Sequence, residues 1–356
     1  MNTSLAIAEG TGLIFLASAL LIFIHLVARK LWMKNEERRK QTLMAAFQQA
    51  DSAVEHYLRT GEQADRLKLR RPYEYEALEA YFGQRIKANA AREKELIYRF
   101  ADRYFHRYYA QRLNRRRWSN RMGALLYIER FRLHRLLPDV KELLLRRRLS
   151  DEERYLVYRV MASLQDKDIT RILLSSPDRL LPAYVYRQIL LVLEMPHLEQ
   201  LIAAFDRCPL PLQESIIDIL RTRNERTYPL LELLERTLDH EQAELRIRAL
   251  KALANFGYMS GDGVRRLCES FDLWRARSWQ ERLMVAKLMG SLKEAQFLPY
   301  LQEMIGDPSF HIRAEAAAAI SRYKHGTEWL EFIRDHHSDR YARDMAGEIL
   351  NRGVIR

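Results

Sequence analysis

Glycine and proline are scarce in this chain, at 13 and 10 among 356 residues. An all-β domain needs Gly, Pro or Asn at nearly every hairpin, so the shortage argues against that class. Cysteine is rarer still: Cys208 and Cys268 have no second pair beside them. That excludes a disulfide scaffold and a CxxC zinc site, and it fits a reducing compartment. Glycine-rich phosphate loops are absent, with neither GxGxxG nor GxxxxGK present. GxSxG and HExxH are absent too. What abounds is Leu, Ala, Arg and Glu, all good helix formers. With 48% hydrophobic and 30% charged residues, the chain has the apolar content to bury a core. An all-α protein follows.

The net charge of +12 is unevenly placed. Residues 1–28 carry only Glu9. Residues 29–150 hold 30 Lys/Arg against 15 Asp/Glu, and residues 151–356 hold 29 against 31. A nucleic-acid binder that is basic throughout would not show this split.

Residues 11–28 read TGLIFLASALLIFIHLVA, without a formal charge. A helix needs ~20 apolar residues to cross the hydrocarbon core. The stretch reaches that length if Arg29 and Lys30 snorkel toward headgroups. It lacks the basic start and the small-residue cleavage site of a signal peptide. The expectation is an uncleaved single-pass anchor over residues 1–33 in the inner (cell) membrane. Arg29, Lys30, Lys34, Arg38, Arg39 and Lys40 all follow the apolar run. By the positive-inside rule the N-terminus faces out and the rest is cytoplasmic.

Residues 34–117 read as a basic helical juxtamembrane or stalk segment. Apolar positions at three- and four-residue spacing run from Leu78 to Tyr108. They predict one helix of near forty residues, about 60 Å long. At its end, Arg103, Arg107, Arg112, Arg115, Arg116 and Arg117 interleave with aromatics that include Tyr108 and Trp118. Such a patch can stack bases and neutralise phosphates, or meet anionic lipid or an acidic partner. The plainer reading is a solvated basic face whose aromatics belong to a core.

From residue 118 onward short apolar helices alternate with polar breaks. The clearest unit is DPSFHIRAEAAAAISRY at 307–323. A second copy, DHEQAELRIRALKALANFG, spans 239–257. Leu245 and Arg246 stand where Ile312 and Arg313 stand, and Ala249, Leu250 and Leu253 match Ala316, Ala317 and Ile320. An intermediate copy, SWQERLMVAKLMGSL, carries Arg282 but no opening Asp.

This pattern resembles the HEAT-repeat family, in particular the short phycobilisome-lyase type. The resemblance is specific from 238 to about 340 and diffuse from 118 to 237. It implies an α-solenoid over residues 118–356, about seven antiparallel helical pairs that stack to bury one continuous core. It also implies Asp–Arg ladders between adjacent units, with Asp239, Arg246, Arg282, Asp307 and Arg313 as the ladder residues. Some members bind a di-iron centre through repeated His–Glu pairs. Here only His240–Glu241 is such a pair, and Ala314–Glu315 stands at the family's ligand place. No metal or other cofactor is therefore expected, and no catalytic residue. His336 and His337 are adjacent and so point to different helix faces.

The function that follows is a non-enzymatic, membrane-anchored scaffold that binds a protein partner at the inner membrane, such as an envelope or surface-polysaccharide assembly. The alternatives are a HEAT-repeat enzyme or lyase-like protein, and a nucleic-acid binder that uses residues 103–121. The neutral repeat region speaks against nucleic acid.

Overall fold

The computed structural model describes residues 2–49, 51–62, 69–88, 91–175 and 180–354, with the side chains of 2–17 and 353–354 outside the description. Among the described residues every regular element is helical. The chain forms two compact units, Met1–Val160 and Met161–Arg356.

The first unit holds α1 (Asn2–Phe47), α2 (Ala53–Thr60), α3 (Pro72–Ala88), α4 (Ala91–Tyr104), α5 (His106–Leu113), α6 (Trp118–Phe131) and α7 (Leu137–Leu143), and α8 (Asp151–Ser163) runs through its end. Local chemistry sets the boundaries. Ser52 caps α2 by accepting from the Glu55 N–H at 3.1 Å, and Gly61 ends it at φ 78°. Pro72 opens α3, where its missing N–H costs nothing.

The forty-residue helix does not form. The Phe82 and Phe100 rings lie 5.2 Å apart at their centroids. Eighteen residues of straight helix would separate them by about 27 Å. The chain therefore reverses between α3 and α4, and apolar spacing that suits one long stripe instead feeds a folded-back core. That core is aromatic: Tyr81, Phe82, Phe100, Phe105, Tyr109 and Phe131 are all fully buried.

The expected membrane anchor is not supported. No helix among the described residues is long and apolar enough to cross a membrane. The described apolar part, residues 18–28, spans about 16 Å at helical rise, roughly half a hydrocarbon core. Residues 11–17 of the expected span lie outside the described side chains. The single-pass inner-membrane placement falls with the anchor, as does the orientation read from Arg29, Lys30, Lys34, Arg38, Arg39 and Lys40. Five of these are exposed on α1. Lys40 pairs instead with Glu76 of α3.

The second unit holds α9 (Ile169–Leu174), α10 (Ala183–Val192), α11 (Met195–Ala203), α12 (Leu210–Arg223), α13 (Tyr228–Thr237), α14 (Ala243–Phe256), α15 (Gly261–Glu269), α16 (Phe271–Arg275), α17 (Trp279–Leu292), α18 (Leu298–Met304), α19 (Phe310–Ile320), α20 (Gly326–His336) and α21 (Arg340–Val354). These are helical pairs that stack one on the next, as an α-solenoid does. The second helices α10, α12, α14, α17, α19 and α21 each pack on the next. Small residues permit the approach. A Cβ on Gly290 of α17 would stand 2.6 Å from the Ala319 Cβ of α19. The Ala316, Ala317 and Ala319 side chains are fully buried.

Candidate functional site

The stack is registered by arginines. Each sits early in a second helix and turns back on the loop before it. Arg246 Nη1 donates to the His240 and Glu241 carbonyls at 2.6 and 2.7 Å. Arg282 Nη1 donates to the Arg277 carbonyl at 2.7 Å. Arg313 does so to Asp307 and Pro308 at 2.8 and 3.0 Å, and Arg343 to His337 and Ser338 at 2.6 and 3.0 Å. Carbonyls that would lose water at the loop are thereby satisfied.

The free edge of the guanidinium then reaches the next pair. Arg282 meets both oxygens of Asp307, at 2.8 and 3.1 Å. Arg246 meets Glu281 at 2.6 Å, and both side chains are nearly buried. Of the expected ladder residues, Arg282 and Asp307 bond to one another across adjacent pairs, while Arg246 crosses to Glu281 rather than to an Asp. Glu281 supplies the acid where the middle copy has no opening Asp. It is also the third residue of a capping box with Ser278. Burial opposes its charge, yet hydrogen bonds from Ser278 and Arg246 outweigh burial and hold its carboxyl below the usual range. Asp239 is exposed, beside Arg277. Arg313 pairs with no acid among the described residues. It lies over the Tyr341 ring at 5.2 Å and near the Phe310 ring at 6.0 Å.

That change of partner opens a surface. Trp279 is the first residue of α17, Phe310 the first of α19 and Tyr341 the second of α21. All three remain exposed, at 45%, 55% and 64%. His311 links the first two: its ring lies 5.9 Å from both Trp279 and Phe310. Arg313 links Phe310 to Tyr341. Exposed large rings, joined through His311 and the half-buried Arg313, form a row across three successive pairs. Solvated surfaces seldom carry such a row without a use.

Besides a small cavity of about 20 Å³ under Glu235 and Met259, two larger ones lie elsewhere in the unit. One of about 180 Å³ is walled by Phe271, Trp274 and Met304, with the Arg282–Asp307 pair at its edge. That pair is already satisfied by its own hydrogen bonds. The other, of about 320 Å³, is lined by Tyr228, Leu231, Phe256 and Tyr258 with Arg226 and Thr227. Its lining carries no carboxylate, imidazole or thiol for acid–base or nucleophilic work. Burial pushes the Cys208 thiol up to about 12, and the group donates to the Ala204 carbonyl. Among the described residues no group of His, Cys, Asp and Glu is placed to hold a metal. His336 stacks on Phe332, and His325 pairs with Glu328.

In the first unit the basic and aromatic residues separate. Phe105 and Tyr109 are buried in the core. Tyr108 stacks on Tyr75 with centroids 4.1 Å apart, and Arg112 donates to its hydroxyl at 2.8 Å. These two are structural neighbours rather than a free face. Arg103 and Arg107 are exposed on α4 and α5. Arg115, Arg116, Arg117 and Trp118 sit exposed at the α5–α6 turn.

No family model matches the chain. No curated protein matches it either. Among solved structures it is similar to an engineered protein, at 11% identity over 89% of both chains with a TM-score of 0.31. It is also similar to a designed armadillo repeat protein in complex with the peptide (KR)4. That match has 15% identity over 68% of this chain and 98% of the other, with a TM-score of 0.23. Likenesses that distant carry no argument about function, and the fold rests on the helix stack itself.

Proposed function

We propose that this protein is a non-enzymatic scaffold whose second unit binds an extended segment of a protein partner along the Trp279–Phe310–Tyr341 row. The carrying observation is the row itself: three exposed rings in the first turns of successive second helices, joined by His311 and Arg313. Packed helices lie 8–10 Å apart. A polyproline II segment rises about 3.1 Å per residue, so every third side chain recurs at about 9 Å on one face. Apolar or proline side chains at i, i+3 and i+6 would each meet one ring, as aromatic-lined grooves meet such ligands.

The half-buried outer faces of the second helices support a protein over a nucleic acid. On α12 and α14, Arg248 is ringed by Glu214, Asp218 and Glu244. On α19, Ala314 and Ala318 stand beside Glu315. Mixed charge of this kind offers no track for phosphates.

The test uses a photo-crosslinking amino acid at Phe310 in the full chain, with the same group at exposed Glu199 on α11 as control. The reading expects one discrete protein captured at 310, competed by a polyproline-type peptide from that protein, and not captured at 199. Equal capture at both positions would refute it.

A further inference from the structure

Two arginine triplets in the first unit are far apart in sequence, at residues 115–117 and 146–148. The fold brings their loops together. Arg146 Nη2 donates to Asn114 Oδ1 at 2.9 Å, and its Nη1 donates to the Leu113 carbonyl at 3.4 Å. Arg121 fixes the first loop from the other side, donating to the Arg115 and Arg116 carbonyls at 3.1 and 2.7 Å. Arg121 is itself paired at 2.6 Å with the buried Glu153 of α8, which is capped by Ser150. Both loops are thus fastened to helices before any ligand arrives.

Two arginines, Arg121 and Arg146, are occupied with this framework. The other five, Arg115, Arg116, Arg117, Arg147 and Arg148, are exposed and in no ion pair among the described residues. Like charges held within a Debye length of one another repel, and an anion between them relieves that cost. The residues are all Arg, whose planar fork grips a carboxylate with two parallel hydrogen bonds. Each triplet also has an exposed apolar neighbour. Trp118 follows the first at 50% exposure, and Leu145 precedes the second at 83%.

We propose that the two triplets form one preformed surface for an acidic segment of a protein, with carboxylates on the arginines and apolar side chains on Trp118 and Leu145. A nucleic acid fits less well. Leu145 gives a base no ring to stack on. Exposed Glu142 on α7 and Glu152 on α8 flank the second loop and would interrupt a phosphate track. A short peptide tolerates both. The surface goes beyond the aromatic row of the second unit and stands or falls separately from it.

The test measures fluorescence anisotropy of full-length protein with three labelled probes: the peptide (Glu-Glu-Leu)4, its (Ser-Ser-Leu)4 counterpart and a twelve-residue oligothymidine. The acidic peptide should bind at least tenfold more tightly than either other probe. Arg147→Glu with Arg148→Glu, in the triplet remote in sequence, should weaken it at least tenfold with an unchanged helical spectrum. Leu145→Ser, at a fully solvated position, should weaken it two- to fivefold without touching charge. The proposal is overturned if the double variant binds within twofold of the parent, if oligothymidine binds more tightly than the acidic peptide, or if the acidic peptide shows no binding at millimolar protein.

Discussion

The aromatic core around Glu79 and the repeat stack around Glu281 bury a carboxylate in opposite ways, whereas Glu153, outside that aromatic core, is paired with Arg121 as Glu281 is with Arg246. In the second unit Glu281 is buried beside Arg246 and stays charged, its carboxyl held below the usual range by Ser278 and Arg246. In the first, Glu79 of α3 is buried and accepts from the Tyr109 hydroxyl. Desolvation dominates there and pushes its carboxyl up to about 7; Arg112, Arg130 and Tyr127 pull it down only in part. A guanidinium in direct contact outweighs burial, whereas tyrosine hydroxyls do not. The repeat stack can therefore carry charge through its interior, while the aromatic core tolerates a carboxyl best when it is neutral.

The largest effect should come from forcing an unpaired charge into the stack. Ala317→Arg on α19 places a long cation at a fully buried position and should cost on the order of 5 kcal/mol. Glu315→Arg, two residues away and only partly buried, should cost under about 1 kcal/mol. Chemical denaturation of both variants checks the face assignment, and equal midpoints would reverse it.

Removing the acid of the ladder comes next. Glu281→Ala leaves Arg246 buried without its counter-ion and should destabilise by about 4 kcal/mol. The parent's contribution from this carboxylate is present above the ordinary carboxylate range and is lost as pH falls through its depressed value. Denaturation series at pH 7 and pH 3 should show the penalty of Glu281→Ala shrinking in acid.

Glu79 should behave with the opposite sign. Its raised value means that the neutral form is favoured in the folded state, so its contribution is full below about 4.5 and is lost as pH rises through about 7. Glu79→Gln keeps the side chain uncharged. It should raise stability at pH 8 by up to ~3 kcal/mol and leave it nearly unchanged at pH 4. If Glu79→Gln destabilises equally at both pH values, the carboxyl is charged and paired, and the contrast between Glu79 and Glu281 disappears.

A smaller effect tests the close approach of second helices. Gly290→Ala brings a Cβ to 2.6 Å from Ala319 and should cost about 2 kcal/mol through overpacking. Pairing it with Ala319→Gly should recover most of that loss if the contact is the cause.

Much of the second unit was legible in the sequence. The spacing of Arg246, Ala249 and Leu253 against Arg313, Ala316 and Ile320 located α14 and α19, because buried positions recur at fixed helical offsets. Glu281 was not legible as a ladder acid, since its unit moves the acid from the loop into the first turn of α17. The aromatic row was hidden because its members differ in type and Tyr341 is displaced by one place from the register of Phe310. In the first unit, periodicity misled. Apolar spacing continues from α3 into α4 without a glycine or proline between Gly83 and Tyr104, so a chain reversal read as one helix. The pairing of residues 115–117 with 146–148 depends on a tertiary contact, Arg146 with Asn114, that no local pattern encodes.

The central claim is that the exposed rings of the second unit hold a protein partner. The most direct measurement is the dissociation constant of the partner crosslinked at Phe310, taken for the parent and for the combined variant Trp279→Ala, Phe310→Ala and Tyr341→Ala. Exposed aromatics add little to folding stability, so the melting temperature should move by under about 2 °C. As binding anchors their loss should weaken the complex by at least about 30-fold, near 2 kcal/mol. Affinity within twofold of the parent, with the fold intact, would contradict the account.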